Sequence, residues 1–344
     1  MPVFFTVAGV SSNKQKEDKG KKAKIDSKDV SYFPIRGKIA VLKPIIDKIS
    51  ITHQISDPEL KETLIECLLQ EAEQGGQFQS APKYGSGQIQ YKASVNLLVP
   101  PYDLPVLIQA GPKKKATSHA LRLEFNPSAL QSSGIAFLKS ALEGLVLDGL
   151  NFSEIAANGK ITRVDIAVDI VGVGISDLLV SAEGGKKSHW YYSASGKPET
   201  GYLGMKAGDK NAKWTTYNKR QQLKDTAGNQ LYGGLPHTRI EYRATPMVPF
   251  SKLLGLDNPF LKISLAYPVI PKAAKSHEWQ FFIDSCARRG QHAALGLLPD
   301  GPMKKRYEAA LAAGHKTIWR PNLIWKAWEE TLCRSGIAEA EKCS

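Results

Sequence analysis

The chain is poor in the residues that make metal knuckles and redox pairs. It has four cysteines, Cys67, Cys286, Cys333 and Cys343, and no two stand at zinc-ligand or CxxC spacing. That argues against a zinc fold and for a reduced, cytoplasmic setting. Long apolar runs are missing, so a membrane span is not expected. The start, MPVFFTVAGVSSNK, lacks the basic leader of a secretory signal, and no export is expected. No glycine-rich phosphate loop of the Walker type occurs, which leaves ATP-driven chemistry without its usual cradle. Acidic residues are outnumbered: 33 Asp and Glu against 46 Lys and Arg give a net charge of +13 over 344 residues. A polyanionic partner suits that excess, nucleic acid first and an anionic membrane surface second.

What is present is enough for a packed core, at 42% hydrophobic residues. Residues 1–40 hold an almost wholly polar, lysine-rich run and are expected to form a disordered basic arm. Residues 41–250 alternate between strand and helix patterns. IDKISITHQI reads as a first strand, and DPELKETLIECLLQEAEQGG as a helix opened by Asp57-Pro58 and ended by Gly75 and Gly76. GQIQYKASVNLLV and HALRLEFNP read as strands, and 132–150 as an amphipathic helix led by serines. KITRVDIAVDIVG is the clearest strand. TGYLGM, KWTTYNK and HTRIEYRAT follow as a three-strand meander. Residues 251–344 turn helical between prolines and glycines. The expected fold class is therefore α+β, a mostly antiparallel sheet with helices on one face and a helical C-terminal region. That region holds Lys304, Lys305, Arg306, Trp319, Arg320, Trp325 and Trp328, suited either to contact with a polyanionic partner or, for the tryptophans, to core packing.

Three strands repeat one pattern. Residues two apart on a strand share a face. In LRLEF, Arg122 and Glu124 oppose Leu121, Leu123 and Phe125. In TRVDIAVDI, Arg163, Asp165 and Asp169 oppose Val164, Ile166, Val168 and Ile170. In TRIEYR, Arg239, Glu241 and Arg243 oppose Ile240 and Tyr242. Taken singly, each is explained by surface ion pairs of small worth. Taken together, neighbouring strands of this kind would gather carboxylates that repel unless a cation joins them, and oxygen ligands suit Mg²⁺ or Mn²⁺. In KWTTYNK, Thr215, Tyr217 and Lys219 share one face and Trp214, Thr216 and Asn218 the other. If Tyr217 lies on the polar face, nearby cations would favour its phenolate, the activation a tyrosine nucleophile needs.

LRLEFNPSAL, ITRVDIAVDI, WTTYNKRQQL and HTRIEYRAT, in that order, resemble the replication initiation endonucleases of filamentous phages, the gene II type, and the Rep proteins of rolling-circle plasmids. The resemblance covers roughly residues 45–250. It implies a protein that nicks one strand of an origin through a tyrosine with a divalent metal. Such a protein stays on the 5′ phosphate and later rejoins the displaced strand. Its partners would be duplex and single-stranded origin DNA, with host helicase and polymerase. On this chain the resemblance makes Tyr217 the nucleophile, with Lys219 a phosphate or phenolate contact. Asp165, Glu241 and Glu124 become the metal ligands, and Arg163, Arg239, Arg243, Lys213 and Arg220 the DNA contacts. The broader class holds its metal with two histidines flanking a hydrophobic residue. No two of the seven histidines here are two apart, so the site would be carboxylate-based. The competing readings are a non-catalytic single-strand binder, which needs exposed aromatics on its sheet face, a conjugative relaxase, and a mostly helical tyrosine recombinase.

Overall fold

Residues 39–82, 90–113, 121–145, 150–183, 187–205, 213–222 and 234–337 are described by a computed structural model. The basic arm lies almost wholly outside them. The chain enters through β1 (Ala40–Val41) and β2 (Ile45–His53). Helix α1 (Pro58–Gln74) follows. Asp57 caps it, its Oδ1 accepting from the Glu59 amide at 2.9 Å, and Pro58 occupies the first turn, where an amide would have no partner. Leu64, Ile65 and Leu68 form its buried stripe, and Gly75, with φ 77°, ends it.

Next come β3 (Phe78–Ser80), β4 (Tyr91–Val99), β5 (Leu104–Pro112) and β6 (Leu121–Phe125). Helix α2 (Pro127–Leu145) begins earlier than its serines suggest. A first turn is capped by the Asn126 side chain, the chain breaks at Gln131 with φ 58°, and the serine-led segment continues from there. Then follow α3 (Phe152–Asn158), β7 (Lys160–Val171), β8 (Leu179–Ala182), β9 (Lys187–Tyr192), β10 (Pro198–Met205), β11 (Trp214–Asn218) and β12 (His237–Ala244).

Eleven of these strands pair in one antiparallel sheet, in the order β3-β4-β5-β6-β2-β7-β12-β11-β10-β9, with β1 on the far end of β7. The α+β class and the β10-β11-β12 meander are as the sequence predicts. One sheet face is mostly apolar: Ile49 and Ile51 on β2, Leu123 and Phe125 on β6, Val164, Ile166 and Val168 on β7, and Ile240 on β12 are all at most 2% exposed. Helices α1, α2 and α3 cover that face and share its core.

After residue 250 the chain adds β13 (Ile263–Ala266), paired with β8, and helices α4 (Ser276–Arg289), α5 (Gln291–Gly296), α6 (Pro302–Ile318), α7 (Pro321–Trp325) and α8 (Trp328–Arg334). Ile318, Trp319, Ile324, Trp328 and Leu332 join the same core as the central strands. Trp319 Nε1 donates to the Ile263 carbonyl at 3.0 Å, and Trp328 Nε1 to the Leu253 carbonyl at 2.9 Å. These two tryptophans are core residues. Thr331 Oγ1 donates to the Pro44 carbonyl at 2.8 Å, and Lys43 pairs with Glu330 at 2.7 Å, tying α8 to the approach to β2. A second cluster, built on Trp279, Phe282 and Tyr307, packs against Leu179 and Ala266.

Candidate active site

The polar face of the sheet is built by register. Tyr217 on β11 lies opposite Arg239 on β12, and Thr215 opposite Glu241. Across the next ladder Arg239 faces Asp169, Glu241 faces Ala167, and Arg243 faces Asp165 on β7. Asp165 in turn faces Lys48 on β2, and Ser50 faces both Arg163 on β7 and Glu124 on β6. Because facing residues share a side of the sheet, the three Arg-x-acid strands and Tyr217 occupy one surface. Trp214, 3% exposed, and Thr216, fully buried, take the other.

The arginines are spent differently from one strand to the next. Arg122 is buried; it grips Glu124 on its own strand and donates to Ser50 Oγ at 3.0 Å and Gln109 Oε1 at 2.6 Å. Glu124 also accepts from Lys48 at 3.3 Å. Arg163 forks onto Asp165 of its own strand, and Arg243 adds a third donor to Asp165 at 3.3 Å. Arg239 breaks the pattern. It leaves Glu241 and forks onto Asp169, at 2.7 and 2.8 Å, while a second arm takes Asp47. Burial alone would raise the Asp169 carboxyl, yet Arg239, helped by His237 at 3.2 Å, holds it far below the usual carboxylate range.

Glu241 is therefore the odd carboxylate. Among the described residues it has no cationic side chain within ion-pair distance. Burial raises its pKa first, the charges of Asp47 and Asp165 next, and a hydrogen bond with Asp165 adds to them; together they push it up to about 7. The phenol of Tyr217 points at this carboxylate, with its oxygen 3.5 Å from Glu241 Oε2. That is the limit of a hydrogen bond. The expected stabilisation of a phenolate is not met by the protein alone. Burial drives the Tyr217 pKa well above its ordinary value; Arg239 pulls it down, and Asp47, Glu241 and Asp169 push it up.

The remaining sequence candidates fall at the margins. Lys219 is not on the strand: β11 stops at Asn218 and the chain turns helical at 219. Its Nζ lies 5.7 Å from the Tyr217 ring centre and donates to Gln222 at 2.8 Å. Burial lowers its pKa. Lys213 is exposed just before β11 and Arg220 is half-buried after it, so these two remain available to a ligand; Arg163 and Arg239 are committed to carboxylates, and Arg243, 36% exposed, also pairs with Asp165 at 3.3 Å. Glu124 sits beyond β2, a strand away from the Asp165 and Glu241 pair. Two residues of the site were not among the sequence candidates. Asp169 shares the face of Asp165 by strand alternation, but only the pairing of β7 with β12 sets it against Arg239. Asp47 reaches Arg239 because the β2–β7 register shifts between Ile46 and Lys48, which adds one residue to β2 and changes which side chain faces the site.

The fit to a divalent cation rests on Glu241 and Asp165. These adjacent carboxylates share a surface with Asp47, and burial first, then the charges of Asp47 and Asp165, raise the Glu241 pKa. As the side chains stand, no group of three His, Cys, Asp or Glu among the described residues is arranged to coordinate a metal. No helix among them is long and apolar enough to cross a membrane.

A stretch of 111 residues is 32% identical to a replication initiation protein of Staphylococcus aureus, covering 32% of this chain and 31% of that protein. A second replication initiation protein of the same organism is 31% identical over 107 residues, 31% of this chain and 30% of its own length. The likeness is to replication initiation proteins. It does not single out a Rep endonuclease type, and the chain matches only about a third of the length of either relative. No family model matches the chain.

Proposed function

We propose that this protein initiates DNA replication by nicking one strand of an origin through Tyr217, forming a 5′-phosphotyrosine link, and by rejoining DNA in the reverse reaction. The observation that carries the reading is the phenol of Tyr217 aimed at Glu241, 3.5 Å away, on the charged face of a sheet whose other face packs into the core. The likeness to replication initiation proteins supports the biological setting.

In this reading Glu241 orients the phenol and takes its proton at Oε2. The Tyr217 oxygen attacks phosphorus, a new O–P bond forms, and the P–O3′ bond breaks in line. The 3′ oxygen leaves on the opposite side of phosphorus and takes its proton from water to become a hydroxyl, while the phenol's proton stays on Glu241. Reversal regenerates the tyrosine and reseals the strand without ATP, because the phosphotyrosine keeps the bond energy. Asp165 and Glu241 would hold a Mg²⁺ or Mn²⁺ ion, which when bound supplies Lewis-acid stabilisation of the phosphate charge. Arg243 and Lys219 flank the phosphate position, and Lys213 and Arg220 extend the basic track along the strand. DNA binding then weakens steeply with salt.

The test is adduct formation. Incubated with Mg²⁺ or Mn²⁺ and single-stranded origin DNA, the protein yields an SDS-resistant protein–DNA band. Tyr217→Phe loses the band yet binds the same DNA. A band that persists in Tyr217→Phe removes Tyr217 from the reaction and turns attention to Tyr202, which lies on the same face.

A further inference from the structure

Beyond β11 the polar face continues onto the β10–β9 hairpin, and there its character changes from charged to aromatic. Thr200 faces Tyr217 across the β10–β11 ladder, and Tyr202 faces Thr215. One ladder further out, Tyr191 faces Thr200 and His189 faces Tyr202. Facing residues share a side, so Tyr191, Tyr202 and His189 lie on the Tyr217 face while Trp190 and Leu203 turn away from it. The three rings form one cluster. His189 meets Tyr191 edge-on with centres 4.7 Å apart, and Tyr191 meets Tyr202 at 5.9 Å and 81°. Tyr191 is 55% exposed and Tyr202 37%. With neighbouring strands about 4.8 Å apart, the Tyr191 backbone lies roughly 10 Å from that of Tyr217.

Exposed aromatics clustered on a polar sheet have a cost in water and no packing partner among the described residues that would justify it. They have a use if bases lie on them. We propose that His189, Tyr191 and Tyr202 form a stacking subsite for unpaired bases next to the nucleotide whose phosphate meets Tyr217. The inference rests on reading this face as a DNA surface and adds where unpaired bases would be held: by their faces here, with the phosphates on the charged strands. Exposed Lys213 and the overall net charge of +13 suit the phosphates. Stacking engages the faces that every base has, so the subsite tolerates any base.

Binding is measured in the Tyr217→Phe background, where no covalent step can intervene. The probes are a fluorescein-labelled oligothymidylate and an abasic oligodeoxynucleotide of equal length, which carry the same phosphates. The parent binds oligothymidylate about tenfold or more tighter than the abasic strand. Adding Tyr191→Ala and Tyr202→Ala removes that preference and leaves abasic binding unchanged, whereas Tyr191→Phe with Tyr202→Phe keeps it. Equal affinity of the parent for both probes overturns the subsite, as does a preference that survives both alanines or a phenylalanine pair that behaves like the alanine pair. Absence of the covalent band in the unmodified protein overturns the nicking reading without touching the abasic comparison, so the two failures are told apart.

Discussion

Glu241→Gln is the substitution that asks most of the site. The carboxyl is raised from 4.5 to about 7 by burial and by Asp47 and Asp165. A displacement of that size corresponds to roughly 3 kcal/mol of stability that depends on a proton. The folded protein holds this proton to higher pH than the unfolded chain does. The contribution is therefore complete below pH 4.5 and is lost as pH rises through 7. Glutamine keeps the shape and carries no charge at any pH, so the variant has nothing to lose over that window. Urea unfolding with a chelator present should show the variant and the unmodified protein close together at pH 5. At pH 8 the variant should be the more stable by roughly 3 kcal/mol. Magnesium added at pH 8 should stabilise the unmodified protein and narrow that gap, because a bound cation replaces the proton. A gap that is the same at pH 5 and pH 8 refutes the reasoning, since it would mean that Glu241 does not carry the excess charge. A gap that opens with pH but ignores magnesium keeps the electrostatics and removes the metal.

Arg239→Met should be far more damaging, because it strands Asp169 and Asp47, both now held by the one buried guanidinium. A loss of about 3–5 kcal/mol is expected in urea unfolding, and Asp169→Leu added to it should recover a large part; a mild single variant would show that Asp169 finds another partner. Gly201→Ala tests the aromatic hairpin from behind. An added Cβ would lie 2.7 Å from the Trp190 ring, so the ring must shift and β9–β10 should loosen by about 1–3 kcal/mol, seen as a change in tryptophan emission and earlier proteolysis in the hairpin. Unchanged emission would mean that Trp190 is free to move aside.

Much of this was legible because strand parity is local. The alternation in TRVDIAVDI and TRIEYR is enough to put Asp165 and Glu241 on one side and Ile166 and Ile240 on the other, and the pairing of β7 with β12 brings the acids together. Strand order is not local. Nothing in LRLEF says that β2 will come between it and β7, which is why Glu124 sits with Lys48 and Arg122, away from the Tyr217 site. A bulge is equally hidden: an Asp in IDKISITH falls out of alternation, and that irregularity is the one sequence sign that Asp47 serves the site. The side-chain choices of the arginines also escaped. Three strands with the same spelling pair within the strand twice and across strands once, since Arg239 finds Asp169 directly opposite while Glu241 faces an alanine. The aromatics on β9 and β10 cannot be assigned to a face from the sequence, because hairpin pairing decides which of Tyr191 and Tyr192 joins the Tyr217 face.

The bond from Thr331 to Pro44 joins positions 287 residues apart. Closing so wide a loop is entropically slow, and non-local contacts of this kind delay folding. During synthesis the central strand β2 emerges long before the helix that fastens its approach. The core beneath the tyrosine thus stays open until α7 and α8 leave the ribosome, and a chain broken off before Trp328 would carry every residue of the polar face on an unfinished foundation.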